Sequence, residues 1–384
     1  MVSCVQIPIL RIKHTYLIMK TKLLYFASDW KVGLTTAHFE QICELNKEND
    51  IELFCISSEN EMESGYIRRC RDAGINITVV KGLDEHADFG RLRLEIKKTI
   101  ERYGITHVNV QNNWQLALVS WLKYEKVIPR RFKIIYTIHG YRHNSSWKSV
   151  IAIAVIGLAL LLFTDRVISM SSYVSRRFWF VGYKTDVVFY MMMKPEFAKT
   201  NNKIEGSPLK MMFPAQFRNG KRQDILIDAL RRYVEITGDR EVRLCLPGKG
   251  PLLEDMKQLT ERYGLQDNII FPGEIPHSDV IKMYETCNIA LVSSNVETYG
   301  RCIAEPFALG RCVVTQRTGV SLDIIEDGVN GAFFTDVDSL CNLLVEFHDN
   351  PTLVTDMANR AFADKVVFSR NNVMRRYKTA LSKA

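Results

Sequence analysis

The chain has 384 residues, 47% of them hydrophobic and 24% charged, a composition that fits a globular protein with two ordinary cores and excludes a disordered, collagen-like or coiled-coil chain. Its net charge of +8 is unevenly spread: residues 1–194 carry 27 Lys/Arg against 18 Asp/Glu, residues 195–384 carry 24 against 25, and residues 89–194 alone carry 17 against 5. The nine cysteines are scattered, odd in number and never at C-x-x-C spacing, which argues against a disulfide framework or a zinc site and for a reducing compartment.

In chain order, the first 18 residues, "MVSCVQIPILRIKHTYLI", have an apolar run broken by Arg11, Lys13 and His14 and no small-residue cleavage site. They are expected to be an extension ahead of the fold. From 22 to 27, "KLLYFA" reads as a buried strand, and "TTAHFEQICELNKEN" after it as a helix. The strand series continues at 51–57, 75–80, 107–111, 133–140 and 166–171, with a charged amphipathic helix at 91–104 that Gly104 should cap. Residues 149–164, "SVIAIAVIGLALLLFT", have no charge. They fall short of the ~20 residues a spanning helix needs, which leaves two readings: a helix buried in the first core, or a helix with one face in a membrane surface.

The polar stretch 194–210, with Pro195, Gly206 and Pro208, marks a boundary, after which the pattern restarts. Strands are expected at 209–215, 241–248, 268–273, 288–294, 311–316 and 331–335, with helices at 223–238 and 250–264. Such alternation implies an α/β protein with two doubly wound parallel sheets, whose ligands bind at the carboxyl ends of the strands. The expected division is 1–18 extension, 19–200 first domain, 201–365 second domain, and 366–384 a C-terminal helix crossing back to the first.

The stretch "SNVETYGRCIAEPFALG" carries two glutamates, Glu297 and Glu305, around a glycine where a strand-end loop enters a helix. Glu297 precedes the turn and would point into the cleft, while Glu305 lies within the helix. The N–H groups of the first turn, at Gly300, Arg301 and Cys302, are suited to a phosphate. The alternative is a pair of ordinary helix-surface acids. "FRNGKRQD" places Arg218 and Lys221 after the first strand of the second half, where cations would neutralise a departing phosphate. No D-x-D or His/Cys spacing suggests a metal, and no G-x-G-x-x-G follows the first strand, which argues against a dehydrogenase.

These stretches, together with "LCLPGKGPLLEDMK" and "IIFPGEIPHSDVIKMYETCNIALVSS", resemble the nucleotide-sugar-binding half of family 4 glycosyltransferases, retaining enzymes of GT-B architecture in which two Rossmann-like domains face each other across a cleft. The resemblance is close over 209–350 and loose in the first half. It implies that Glu297 holds the donor sugar, Glu305 the ribose, the turn at Gly300, Arg301 and Cys302 the phosphate, and Lys221 the diphosphate. Arg218 would substitute for an arginine that is missing at Ala215-Gln216. Gly248 would pack tightly around the diphosphate or base, and Gly273, Glu274 and Ile275 would line the base. In "TIHGYRH", His139 would face the donor sugar, and Gly33 would let the first glycine loop approach the phosphate. Gly319, Asp327, Gly328 and Gly331 read as turn formers. The candidate catalytic residues are thus Glu297, His139, Lys221 and Arg218.

The activity implied is a metal-independent, cofactor-free transfer from a UDP- or GDP-linked nucleotide sugar to a glycan or lipid-linked glycan of a surface polysaccharide. The setting implied is cytoplasmic, peripheral on the inner face of the plasma membrane. The basic first half suggests an anionic membrane surface as partner, or else only a Lys-rich solvated face; nucleic acid is not expected. Two rival readings stand beside this one: a nucleotide-sugar epimerase or hydrolase on the same fold, and a non-catalytic nucleotide-sugar-binding protein. The missing arginine and the unusual "MMMK" at 191–194 support the latter.

Overall fold

Runs such as Leu23, Leu24, Tyr25 and Phe26, all at most 1% exposed, are apolar on both faces. A strand of that kind needs helices on both sides of its sheet. The computed structural model, which describes residues 20–27, 34–58, 61–80, 89–129, 131–139, 147–189, 191–193 and 205–384, has two such sheets. The first contains β1 (Thr21–Phe26), β2 (Ile51–Ser58), β3 (Asn76–Val80), β4 (His107–Val110), β5 (Lys133–Ile138), β6 (Arg166–Ser169) and β7 (Thr185–Val187), in the order β3-β2-β1-β4-β5-β6-β7. The second contains β8 (Lys210–Met212), β9 (Arg243–Cys245), β10 (Ile269–Ile270), β11 (Ile289–Val292), β12 (Cys312–Thr315) and β13 (Ala332–Phe333), in the order β10-β9-β8-β11-β12-β13. All neighbouring strands run parallel.

Helices α1 (Leu34–Asn46), α2 (Glu61–Asp72), α3 (Phe89–Tyr103), α4 (Asn113–Tyr124), α5 (Trp147–Phe163) and α6 (Ser172–Ser175) belong to the first half. The second half has α7 (Gln223–Thr237), α8 (Leu253–Arg262), α9 (His277–Glu285), α10 (Arg301–Ala308), α11 (Ser321–Ile324), α12 (Val337–Asp349), α13 (Thr352–Asp364) and α14 (Arg370–Ser382). Gly104 ends α3 as expected, at φ +62°. The Ile105 N–H donates to Ile100 O at 3.0 Å, a left-handed cap that spends a carbonyl the helix leaves over. Strand order reverses between β1 and β4 and again between β8 and β11, and each reversal opens a crevice at the carboxyl edge.

Two features that the sequence left open take definite form. The helix α5 is neither wholly buried nor free: Gly157 and Leu160 face the core, while Ala154, Leu158, Leu161 and Leu162 are exposed. The methionine run is packing material. Met191 and Met192 are each 6% exposed, and the Met193 N–H donates to Phe368 O at 2.8 Å.

The last helix packs across the first sheet. Tyr377 of α14 is buried, and its hydroxyl accepts from Asn109 Nδ2 at 2.6 Å. Arg370 pairs with Glu44 and, at 2.8 Å, with Glu48, while Lys378 reaches Glu48 at 3.0 Å and Asp50 at 2.8 Å. Burial pushes the Glu44 carboxyl up, but Lys47 and Arg370 more than offset it, so its pKa sits below the ordinary value.

Candidate functional site

The chain leaving β8 runs alongside the chain leaving β9: the Ala215 N–H donates to Pro247 O at 3.0 Å and the Phe217 N–H to Lys249 O at 2.9 Å. Gly248 and Gly250, at φ +149° and +152°, make this approach possible. A Cβ on Gly248 would lie 2.0 Å from Ala215 O, and one on Gly250 2.3 Å from Phe217 O. The close approach at Gly248 is to the carbonyl of Ala215 on the neighbouring loop.

That run ends in a turn, with the Lys221 N–H donating to Arg218 O at 3.1 Å. The turn is stitched to the loop after β11. Ser293 Oγ donates to Lys221 O at 2.8 Å, and the Asn295 N–H to Gly220 O at 3.0 Å. Lys221 Nζ then meets Glu297 Oε1 directly, with both side chains 13% exposed. The structure thus joins two of the expected residues into an ion pair at the β8/β11 reversal. Arg218 is exposed, three residues before Lys221, and takes no part in this pair.

Glu297 is held from behind. Its N–H donates to Thr318 Oγ1 at 2.7 Å, and the Val320 N–H donates to Tyr299 O at 2.7 Å. Gly319 lies between these two bonds at φ +56°. Gly300, at φ +87°, starts α10, and the Ile303 and Ala304 N–H groups are the first to donate within it, both to Gly300 O at 2.9 and 3.1 Å. The N–H groups of Gly300, Arg301 and Cys302 precede the helical ladder, where an anion can use them. Cys302 Sγ lies 3.9 Å from Glu297 Oε1. Burial, and then the Glu297 charge, raise the pKa of this thiol, so it stays a neutral neighbour rather than a nucleophile.

Glu305 is 3% exposed and is not presented alone. Its Oε1 lies 2.9 Å from His277 Nε2, 2.7 Å from Arg301 Nε and 2.6 Å from Arg301 Nη2. His277 Nε2 also lies 2.8 Å from Arg301 Nη2; it donates to Glu305 when it carries the proton and accepts from Arg301 when it does not. Burial pushes the Glu305 carboxyl up, yet His277 and Arg301 more than offset it and hold it below the ordinary 4.5. A carboxylate with a lowered folded pKa adds stability above its unfolded pKa and loses it as pH falls through the folded value. Replacing Glu305 by glutamine is therefore expected to cost more stability near pH 7 than near pH 3.5, as read from thermal midpoints at the two values. Equal losses would mean that the neighbours do not stabilise the charge.

Sequence reasoning missed His277. It is the first residue of α9, 28 positions before Glu305, and only the packing of α9 beside α10 unites them. Gly273, at φ +78°, accepts at its carbonyl from the Gly248 N–H at 2.8 Å. Ile275 is half-buried, and the exposed Glu274 pairs with Lys249 at 2.5 Å, a surface contact of small energetic weight.

The first sheet meets this site along its own carboxyl edge. Ser171 Oγ, just past β6, donates to Thr298 O at 2.6 Å. The Ser172 N–H donates to Asp323 Oδ2 at 2.9 Å, and the Met191 N–H to Tyr299 OH at 3.3 Å. His139 follows β5, whose Ile138 pairs with Ser169 of β6, so the imidazole stands at the same edge. Its Nε2 lies 2.6 Å from Gln111 Oε1, and Gln111 in turn donates to Asn109 Oδ1 at 2.5 Å. Gly33 lies outside the described residues. Among the described residues no group of three His, Cys, Asp or Glu side chains is placed to hold a metal.

The model of the family described as "Glycosyl transferases group 1" matches residues 194–364. The chain is 28% identical over 106 residues to an alpha-monoglucosyldiacylglycerol synthase of Streptococcus pneumoniae, covering 28% of this chain and 24% of that protein. It is 26% identical over 162 residues to a D-inositol 3-phosphate glycosyltransferase of Xylanimonas cellulosilytica, covering 41% of this chain and 34% of that one. The matches thus span about a quarter to a third of these curated relatives. The crystal structure of Anabaena Alr3699/HepE in complex with UDP superposes with a TM-score of 0.74 at 18% identity, covering 94% of this chain and 100% of that one. The two parallel sheets are those of the GT-B fold, and residues 194–364 match the model of the glycosyl transferases group 1 family.

Proposed function

We propose that the protein is a retaining glycosyltransferase on a two-domain chain divided near residue 200. It would move a sugar from a UDP- or GDP-linked donor to a hydroxyl of a lipid-linked or surface-polysaccharide glycan, without a metal, working in the cytoplasm on the inner face of the membrane. The observation that carries the transferase reading is the partly buried Lys221–Glu297 pair at the β8/β11 reversal, beside the first turn of α10. The UDP of the Anabaena complex and the glycolipid in the pneumococcal relative's name support the donor and acceptor classes.

An ammonium group has three N–H donors. One meets Glu297, and the others are available to diphosphate oxygens. Glu297, fixed through Thr318, turns its remaining acceptor capacity to the sugar hydroxyls. The bond between the sugar C1 and the diphosphate oxygen breaks, and the negative charge goes to the diphosphate. Lys221 and the N–H groups of Gly300, Arg301 and Cys302 stabilise that charge where it builds up. The acceptor oxygen bonds to C1 on the face the diphosphate leaves, and its proton passes to the departing phosphate oxygen, so no enzyme base is needed. Glu305, pre-oriented by Arg301 and His277, takes the ribose hydroxyls, and His139 hydrogen-bonds the sugar from across the cleft.

The test is a thermal-shift panel of UDP, GDP and their sugars. One base class should raise the midpoint, since a ligand at a hundredfold its Kd adds about 2.7 kcal/mol. A panel in which neither nucleotide moves the midpoint would overturn the reading.

A further inference from the structure

A helix that is apolar all round belongs in a core or in a membrane, and α5 is only half in a core. Between Lys148 and Asp165 it has no charged residue. The exposed residues Ala154, Leu158, Leu161 and Leu162 recur at helical spacing and form one stripe, with Leu158 56% and Leu162 64% exposed. The stripe continues onto both neighbours. On one flank Phe163 meets Tyr124 edge-on at 6.4 Å, and Tyr124 lies 6.0 Å from Trp121. On the other flank the 3-10 segment Arg176–Lys184 is pinned to the helix end. Lys184 Nζ donates to Leu160 O at 2.5 Å and to Thr164 O at 2.6 Å, and the Phe180 ring lies 3.6 Å from where a Cβ on Gly157 would be. That segment holds out Trp179, 79% exposed, and Tyr183, 74% exposed.

The charges around this face are one-sided. Arg176 and Arg177, on the same 3-10 segment as Trp179 and Tyr183, are exposed. The nearby acids are already matched: Asp165 by Lys123 at 2.8 Å and Lys133 at 3.5 Å, and Glu125 by Arg93 at 2.8 Å. Amphipathic aromatic rings, leucines and a cationic rim are the chemistry of a lipid headgroup layer. Among the described residues no helix is long and apolar enough to cross a membrane, so α5 would lie on one rather than span it. We propose that this face, built on Leu158, Leu161, Leu162, Tyr124, Trp179 and Tyr183, docks the protein on an anionic lipid bilayer. The proposal deepens the lipid-acceptor reading above and rests on it only for what docking is for. Its test uses no nucleotide sugar, so the two can fail separately.

The test is flotation of the full chain with phosphatidylcholine vesicles and with vesicles in which about 40% of the lipid is phosphatidylglycerol. Binding is expected to the anionic vesicles and to weaken with salt. The double variant Leu161→Ser/Leu162→Ser and the single variant Trp179→Ser should each weaken it roughly tenfold, with unchanged thermal midpoints and unchanged nucleotide-induced shifts. Three results would overturn the proposal: no binding to either vesicle, binding that both variants leave intact, or variants that turn a dimer into a monomer without affecting flotation. The last would assign the face to a second copy of the chain.

Discussion

Replacing Glu297 by glutamine is expected to lower the rate of sugar transfer roughly 10²–10³-fold while leaving the thermal midpoint nearly unchanged. Glutamine keeps the shape and the hydrogen bond from the Glu297 N–H to Thr318. It removes the charge that fixes Lys221 Nζ between the carboxylate and the expected diphosphate. The loss should fall on kcat more than on KM, because a loosened ammonium matters most when the leaving group gathers charge. Lys221→Met should show a loss of similar size, and the double variant should lose much less than the sum of the two, since each single change already breaks the unit. Steady-state kinetics on the four proteins measures this, and additive losses would mean that the two side chains act independently.

Replacing Gly319 by alanine is expected to destabilise the protein by about 2–4 kcal/mol and to weaken donor binding with it. The added Cβ would lie 2.4 Å from Tyr299 O and 2.9 Å from Glu297 Cβ, and backbone and side chain must both move to admit it. The bonds from Val320 to Tyr299 and from Glu297 to Thr318 hold those groups in place, so the strain falls on the Glu297 loop. Gly328 is the comparison, because it also has a positive φ of +76° but no atom within 4 Å of the same Cβ position. There alanine should cost only about 1 kcal/mol, the backbone penalty alone. Calorimetric midpoints with and without the nucleotide separate the two positions, and equal shifts would remove the steric argument.

Much of this was legible in the sequence, for identifiable reasons. Strands such as "KLLYF" and "IALV" have to be buried on both faces, so their order in the chain already required two doubly wound sheets. Glu297, Gly300 and Lys221 sit at strand ends, where reversal of the strand order gathers loops, and the structure places Lys221 and Glu297 in contact. Of the two partners of Glu305, His277 was not legible. Arg301 is one helical turn before Glu305 on α10, a spacing the sequence carries, but His277 reaches it only through the packing of α9 beside α10, which no periodicity encodes. At Gly248 the sequence marks where backbone can come close but not what it comes close to; the structure puts Ala215 O there. The apolar run of α5 left two readings open because composition does not say which side a neighbouring helix will cover. The structure gives a helix with one face in the core and Leu158, Leu161 and Leu162 outside it.

The central claim, that the Lys221–Glu297 pair at the start of α10 is where a nucleotide sugar is held and split, is tested most directly by nucleotide release. The donor is the one that gives the largest thermal shift, and wild-type protein and Glu297→Gln are compared with the same preparation of acceptor. Wild-type protein should release the nucleoside diphosphate in step with glycosylated product, and the variant should release it at roughly a hundredth of that rate or less while still binding the donor. Equal release by the two proteins, or product formed without nucleotide release, would contradict the account.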